Sequence, residues 1–167
     1  MNKFSIIVAV GENNAIGKDG DLLWHIREDM LHFKNTTKNH PVLMGRKTWE
    51  SLQIRPLPKR HNIIITQNKN FSFNDNVTIL HSIKEAKEIQ DLDSEVFIIG
   101  GGSIYREFMP LTNKIYLTKV YKSYDEADTF FPEIDYNKWK TVYQSERKKD
   151  EESNIEYQFF TLERYDK

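Results

Sequence analysis

The sequence predicts a single α/β domain built on a mainly parallel sheet, and three observations carry that prediction. Short β-branched apolar runs recur along the 167 residues, helical patterns lie between several of them, and the last third gives up the alternation. Parallel neighbours need a crossover long enough to hold a helix, and strands covered on both faces read as near-continuous apolar runs. The length suits one domain of ordinary size with room for a buried core.

In chain order the runs are Phe4–Val10, Pro41–Met44, Asn62–Thr66, Val77–Leu80, Val96–Ile99 and Ile115–Tyr121, each bounded by Gly, Asn, Asp, Ser or Pro. Ile26, Met30, Phe33 and Thr37 keep helical spacing, as do Thr48, Trp49 and Leu52. Ile83, Ala86 and Ile89 form a third pattern behind a capping box of Ser82 and Glu85; Ile104, Tyr105, Phe108 and Met109 form a fourth, stopped by Pro110. Trp139–Glu146 and Ile155–Tyr165 are strand-like and flank Arg147–Asn154, a charged stretch suited to an exposed hairpin loop. An antiparallel C-terminal edge follows. The apolar parity changes at Phe159-Phe160, which marks either a bulge or burial on both faces.

Composition narrows the chemistry. With 24 Lys+Arg against 25 Asp+Glu the net charge is -1, which disfavours nucleic acid or an acidic membrane as partner. The lack of cysteine excludes disulfides, thiolate metal sites and a cysteine nucleophile. Ile6–Val10 is too short to span a bilayer or to form a signal-peptide core, so the cytoplasm is the expected compartment. His25, His32, His40, His61 and His81 show no metal-ligand spacing, and no Gly-x-Ser-x-Gly elbow occurs, so no metal site is expected.

Two strand–glycine–helix junctions remain. At Gly100-Gly101-Gly102 the chain passes from an apolar strand into a helix, so backbone amides can approach an anion with no Cβ in the way. A tight turn that merely needs glycine reads the same. Gly45-Arg46-Lys47-Thr48 adds two cations and a hydroxyl to a second helix start, though a solvated basic turn also fits. Together the junctions suggest separated phosphates, hence a dinucleotide, without the Gly-x-Gly-x-x-Gly fingerprint. On a wheel advancing about 100° per residue, Asp29 borders the apolar stripe while Glu28 points to solvent. Asp29 is then either a desolvated acid able to grip paired N–H donors or an idle first-turn acid. Gly11 to Trp24 is long enough to be a lid or a plain surface loop.

These segments have a familiar order. Ile7-Val8-Ala9, Ala15-Ile16-Gly17, Leu22-Leu23-Trp24, Asp29, Phe33-Lys34, Val42 through Ser51, Arg55 through Arg60, Ile99 through Tyr105, Tyr116-Leu117-Thr118 and Asp128 through Pro132 together resemble bacterial dihydrofolate reductase. The resemblance spans essentially the whole chain. It implies a central, mostly parallel eight-stranded sheet with flanking helices and an antiparallel C-terminal strand. The implied reaction is hydride transfer from NADPH to 7,8-dihydrofolate, in a monomer that antifolate inhibitors also bind.

By the same resemblance Asp29 would hold the pterin and support protonation at N5, with Thr118 linked to it and Trp24 positioning water. Ile7, Val8, Met30, Phe33, Leu52, Leu57 and Ile99 would form apolar walls. Arg60 would meet the α-carboxylate of the glutamate tail, with Lys34 and Arg55 near its edge. Ala9, Ile16 and Gly17 would lie at the nicotinamide end of the cofactor. Arg46, Lys47 and Thr48 would meet phosphates, Thr66 and Gln67 the 2′-phosphate and adenosine, and Gly100, Gly101, Gly102, Ser103, Ile104 and Tyr105 the pyrophosphate. A cis peptide is implied at Gly100-Gly101. Competing expectations are a same-fold reductase of riboflavin synthesis and a non-catalytic dinucleotide-binding protein; a folate reductase requires Asp29, a sensor does not.

Two departures bear on the lid. The family commonly has proline where this chain has Leu23 and Arg27, so two restraints on φ are missing. Gln53-Ile54 also adds a residue before Arg55 relative to many members, which bears on the role of Arg55. A looser lid should bind diaminopyrimidine antifolates differently from the family norm. Inhibitor affinity measured on the protein and on Leu23→Pro is expected to differ; equal affinities would contradict this.

Overall fold

The computed structural model describes residues 3–18, 22–72, 76–89 and 95–165. Residues 19–21, within the loop expected to be a lid, lie outside the described residues. The chain opens with β1 (Phe4–Val10), β2 (Ala15–Gly17), α1 (Arg27–Thr37), β3 (Val42–Gly45) and α2 (Arg46–Ser51). Next come β4 (Asn62–Ile65), β5 (Val77–Leu80), α3 (Ile83–Glu88), β6 (Val96–Gly100) and α4 (Gly102–Phe108). A 3-10 turn, Met109–Leu111, leads into β7 (Thr112–Val120), β8 (Thr129–Phe130), β9 (Trp139–Gln144), β10 (Lys148–Lys149) and β11 (Glu156–Arg164).

The main sheet runs β10-β11-β7-β1-β6-β3-β4-β5. Every pairing from β7 across to β5 is parallel, whereas β11 is antiparallel to β7, β9 and β10. Because β7 occupies one side of β11, β9 and β10 share the other side, along Phe160–Arg164 and Glu156–Tyr157 respectively. They act as one interrupted edge strand, so the expected width of eight holds.

Burial on both faces explains the continuous apolar strands. Ile6, Val8, Leu43, Ile63, Ile98 and Leu117 pack on one face with Tyr105 and Phe108 of α4 and Ala86 of α3. Their neighbours Ile7, Met44, Ile64 and Phe97 pack on the other with Trp49 of α2 and Phe33 of α1. A third cluster on that second side joins Trp24, Ile26, Val120, Tyr124 and Tyr157. Side chains alternate with period two, so each strand supplies both layers.

Some expectations shift. Phe159 joins the third cluster and Phe160 the first, so the parity change means burial on both faces; the register slip lies in β9, where Val142 has no partner opposite Thr161-Leu162. Ile26 caps α1 in extended conformation, and Leu52 caps α2 rather than belonging to it. Pro110 sits inside the 3-10 turn instead of ending the chain's helical path. Lys148 and Lys149 pair with β11 and shorten the expected loop, while Asp150–Asn154 make the turn. β2, β8 and β10 are too short to show any periodicity.

One buried polar side chain organises a loop. Asn62 is fully buried at the start of β4; its Oδ1 accepts from Leu57 N at 2.9 Å, and its Nδ2 donates to the carbonyls of Leu57 (3.0 Å) and Arg60 (2.9 Å). It replaces with side-chain bonds the pairing this segment lacks. Asn62→Ala should cost about 2–3 kcal/mol by stranding those backbone groups, read by chemical unfolding; a loss near zero would contradict the assignment.

Candidate active site

The carboxyl ends of β1 and β6 part company. These strands pair from Phe4↔Val96 to Ile6↔Ile98, whereas β1 stays on β7 as far as Val10↔Lys119 and β6 turns toward β3, setting Gly100 opposite Met44. In open sheets such a divergence at carboxyl ends receives ligands. Buried Tyr105 reaches across from α4, its hydroxyl donating to Ile7 O at 2.9 Å. The Ile7 carbonyl thus keeps a donor where the ladder to β6 has ended.

Asp29 stands on the other side of this opening. Its helix lies on the face carrying Ile7 and Ala9, and the Thr118 hydroxyl donates to Asp29 Oδ1 at 2.8 Å. Thr118 is in register with Ala9, which places the acid over the ends of β1 and β7. Burial pushes the carboxyl up from its ordinary 3.8 to about 6, and the Thr118 hydrogen bond offsets only part of that. Asp29 is therefore a desolvated acid engaged by Thr118. Glu28 is exposed as expected, yet it does not simply face water: it accepts from the Tyr157 hydroxyl and lies 3.7 Å from Lys148 Nζ. A helical wheel shows direction about one axis and omits the strands that cross beside it.

Ile7, Phe33, Leu52, Leu57 and Ile99 meet in one apolar cluster. Val8 does not join them. Strand alternation sends its side chain into the opposite layer with Ile6 and Val10, leaving only its backbone toward Ile7's side. Met30 is half exposed. Trp24 is buried in the third cluster with its ring 5.3 Å from that of Tyr124, and Ala9 packs against that cluster.

At the far end of the apolar wall Arg60 is held in place. Its Nε donates to Pro58 O at 2.9 Å and its Nη1 to Thr37 Oγ1 at 3.1 Å, while Thr37 itself donates to Phe33 O. Partial burial lowers its pKa below the ordinary guanidinium value without threatening its charge at neutral pH. Arg55 and Lys34 are exposed, and the Arg55 guanidinium sits 5.8 Å over the Trp49 ring, apart from Arg60's partners.

Beyond β6 the carboxyl ends of β3 and β4 continue the row. Pairing of β3 with β6 puts the two glycine junctions side by side: a Cβ on Gly101 would lie 3.4 Å from Thr48 Oγ1, and one on Gly45 4.0 Å from Gly100 O. The two glycine junctions, separate in sequence, are therefore adjacent in space. Gly100, at φ +122°, needs glycine for its backbone, and a Cβ on Gly102 would meet Thr129 Cγ2 at 2.8 Å. Gly101 has room, so there the missing Cβ leaves open approach. The Gly100-Gly101 peptide is cis, as implied.

Neither Gly45 nor Gly101 caps its helix with a side chain, unlike Ser82, whose Oγ accepts from Glu85 N. First-turn amides at both junctions thus lack a side-chain cap. Tyr105 is an exception within the predicted cradle, because its amide already donates to Gly101 O. Arg46 lies 3.6 Å from Glu50 in the next turn, and Lys47 and Ser103 are exposed. Ile104 packs beneath Gly45. Thr66 and Gln67 follow Ile65, the partner of Gly45, and so extend the row outward.

The loop after β1 is tied down in its first half. Ala15 and Gly17 pair with Phe130 and Thr129, Gly17 O accepts from Asp128 N, and Asn14 O accepts from Phe131 N. Asn13 bonds Tyr124 through both its side-chain amide and carbonyl groups. Ile16 is half-buried against the first cluster. Sequence reasoning gave no role to Asn62 or to β8; an Asn opening an all-isoleucine strand was the available signal for the former.

The dihydrofolate reductase family model matches residues 3–164. The chain is 44% identical to dihydrofolate reductase of Staphylococcus haemolyticus over 162 residues, covering 97% of this chain and 96% of the relative. It is 39% identical to dihydrofolate reductase of Bacillus subtilis, covering 96% and 94%. Its fold superposes with TM-score 0.87 on dihydrofolate reductase from Enterococcus faecalis complexed with NADP(H) and RAB-propyl, at 33% identity, covering 98% of this chain and 96% of that one.

The raised Asp29 pKa has a consequence for stability. Between about pH 4 and pH 6 the folded chain keeps a proton that the unfolded chain releases, so this carboxyl lowers stability as pH rises through that window. Asp29→Asn is expected to be more stable than the parent by up to about 3 kcal/mol at pH 8 and no more stable at pH 3.5. Urea unfolding at the two pH values checks it; a gain independent of pH would contradict it.

Proposed function

The chain belongs to the dihydrofolate reductase family, and on that footing we propose how its residues carry the reduction of 7,8-dihydrofolate to 5,6,7,8-tetrahydrofolate by NADPH. The observation that carries the reading is the buried Asp29 carboxyl joined to Thr118 over the splayed ends of β1 and β6. A carboxylate has about four acceptor positions, and Thr118 uses one. Those left over suit the 2-amino group and N3–H of a pterin, which present two donors along one edge. Such pairing favours the ionised acid, and its negative charge in turn favours a proton at N5.

Ile7, Phe33, Leu52, Leu57 and Ile99 supply the apolar walls that remove the ring from water. Arg60, pre-oriented by Thr37 and Pro58, retains donors for the tail carboxylate at the distance the wall imposes. The joint presence of Asp29 and Arg60 at opposite ends of one wall favours a folate over a pyrimidine intermediate of riboflavin synthesis. Trp24, buried beside Ile26 and Ala9, is assigned to ordering water near the acid.

The cradle fits a dinucleotide: uncapped amides at Gly45 and Gly101, the Thr48 hydroxyl beside Gly101, and the cations Arg46 and Lys47 match a pyrophosphate, with Thr66 and Gln67 placed farther along for the adenosine end. NADPH, when bound, supplies the hydride. Ala9 and Ile16 offer backbone groups for the carboxamide at the other end; the Gly17 carbonyl is already engaged by Asp128. The protein's share of catalysis is placement and water exclusion. We assign it to a single domain acting as a cytoplasmic monomer; every strand except β2 and β8 belongs to one sheet, and no helix among the described residues is long and apolar enough to cross a membrane.

NADPH oxidation on addition of dihydrofolate tests the proposal. The parent should turn over, Asp29→Asn should lose roughly 10²–10⁴-fold in kcat at pH 7, and Arg60→Ala should raise KM with little change in kcat. An inactive parent, or an undiminished Asp29→Asn variant, would overturn it.

A further inference from the structure

The first turn of α1 carries the acid but has no side-chain cap: Ile26 opens the helix, and its carbonyl is shared by the amides of Asp29 and Met30, each at 3.1 Å. An uncapped turn frays unless tertiary contacts hold it. Two neighbouring carboxylates provide them. Asp29 takes the Thr118 hydroxyl of β7, and Glu28 takes the Tyr157 hydroxyl of β11, two strands that are themselves paired with Phe159 opposite Thr118 and Tyr157 opposite Val120. Lys148 of β10 lies 3.7 Å from the same Glu28 oxygen. One turn on, the His32 ring stacks on Phe159 with centroids 4.3 Å apart. Tyr157 is buried, so its hydroxyl is anchored by the core while Glu28 is not.

We propose that Tyr157 is a positioning residue for Asp29, pinning the start of α1 to β11 through Glu28 so that the acid stays on Thr118 and out of water. The catalytic meaning of the pin rests on the reductase reading above; the pin itself does not. Without it the first turn can lift from β7 and β11, and Asp29 regains hydration. Among the described residues, the ionisable groups around the acid are Glu28 and His32 on its own helix, Tyr105 from α4 and Tyr157 from β11, with Lys148 and Asp150 behind Tyr157. Tyr157→Phe removes the hydroxyl and changes no charge below about pH 10. A fall in the Asp29 pKa in that variant therefore reports position rather than a lost charge.

The test titrates Asp29 by carbon NMR on aspartate-labelled protein free of ligands. In Tyr157→Phe the midpoint should fall from about 6 back toward 3.8. Glu28→Gln and Glu28→Ala remove the same charge, but only Gln keeps an acceptor for Tyr157; the Ala variant should titrate lower than the Gln variant. In the assay with NADPH, KM for dihydrofolate should rise about fivefold in Tyr157→Phe, the worth of one hydrogen bond, with a smaller change in kcat. An unshifted midpoint in Tyr157→Phe, or equal midpoints in the two Glu28 variants, would overturn the proposal even if thermal stability fell. Shifted midpoints in a protein whose parent lacks reductase activity would uphold the pin and overturn the reductase reading.

Discussion

A carboxyl group taken out of water must find donors or keep its proton, and at Asp29 the fold provides one donor and leaves the rest of the demand open. That single unmet demand organises the site. Thr118 lies where it does because β7 stays paired with β1 after β6 has left, so the same divergence that opens the sheet also brings the hydroxyl to the acid. Tyr105 keeps the opening from costing β1 a hydrogen bond. A destabilising acid is tolerated because the strands around it are buried on both faces and paired on both edges over most of their length.

The division of the site follows from the strand order. The buried acid lies with β1, β7 and α1, and the two glycine junctions lie at the ends of β6 and β3, with Ile99 and Gly100 at the seam. At Gly101 the Thr48 hydroxyl faces the backbone across the junction, 3.4 Å from where a Cβ would stand. Arg60 gains its geometry from residues that do no chemistry: Asn62 holds the carbonyl of Arg60 and both polar backbone groups of Leu57, while buried Thr37 holds its guanidinium.

The parallel core was legible because its signal is local. Runs such as Asn62-Ile63-Ile64-Ile65 and Val96-Phe97-Ile98-Ile99 bury both faces, so composition alone marks them. Asp29 was visible as an acid beside an apolar stripe, but whether it was idle depended on Thr118, 89 residues away in sequence. Val8 was grouped with a wall its side chain does not join, and Glu28, exposed as expected, also meets a tyrosine from β11. Contact with a ligand wall does not follow from adjacency to Ile7 in a strand of period two, and exposure on a helix does not preclude a tyrosine from β11. The adjacency of the glycine junctions was equally hidden, since it arises from strand order. Short pairings such as Ala15 with Phe130 have no periodic signature at all.

Asp29 is a buried acid whose proton affinity is set by desolvation and only partly relieved by Thr118. The most direct measurement is the infrared carboxyl band of Asp29, isolated by isotope editing in the ligand-free protein across pH 3 to 8. The protonated band is expected to disappear with a midpoint of about 6. Disappearance near the ordinary 3.8 would show a solvated carboxylate and contradict it.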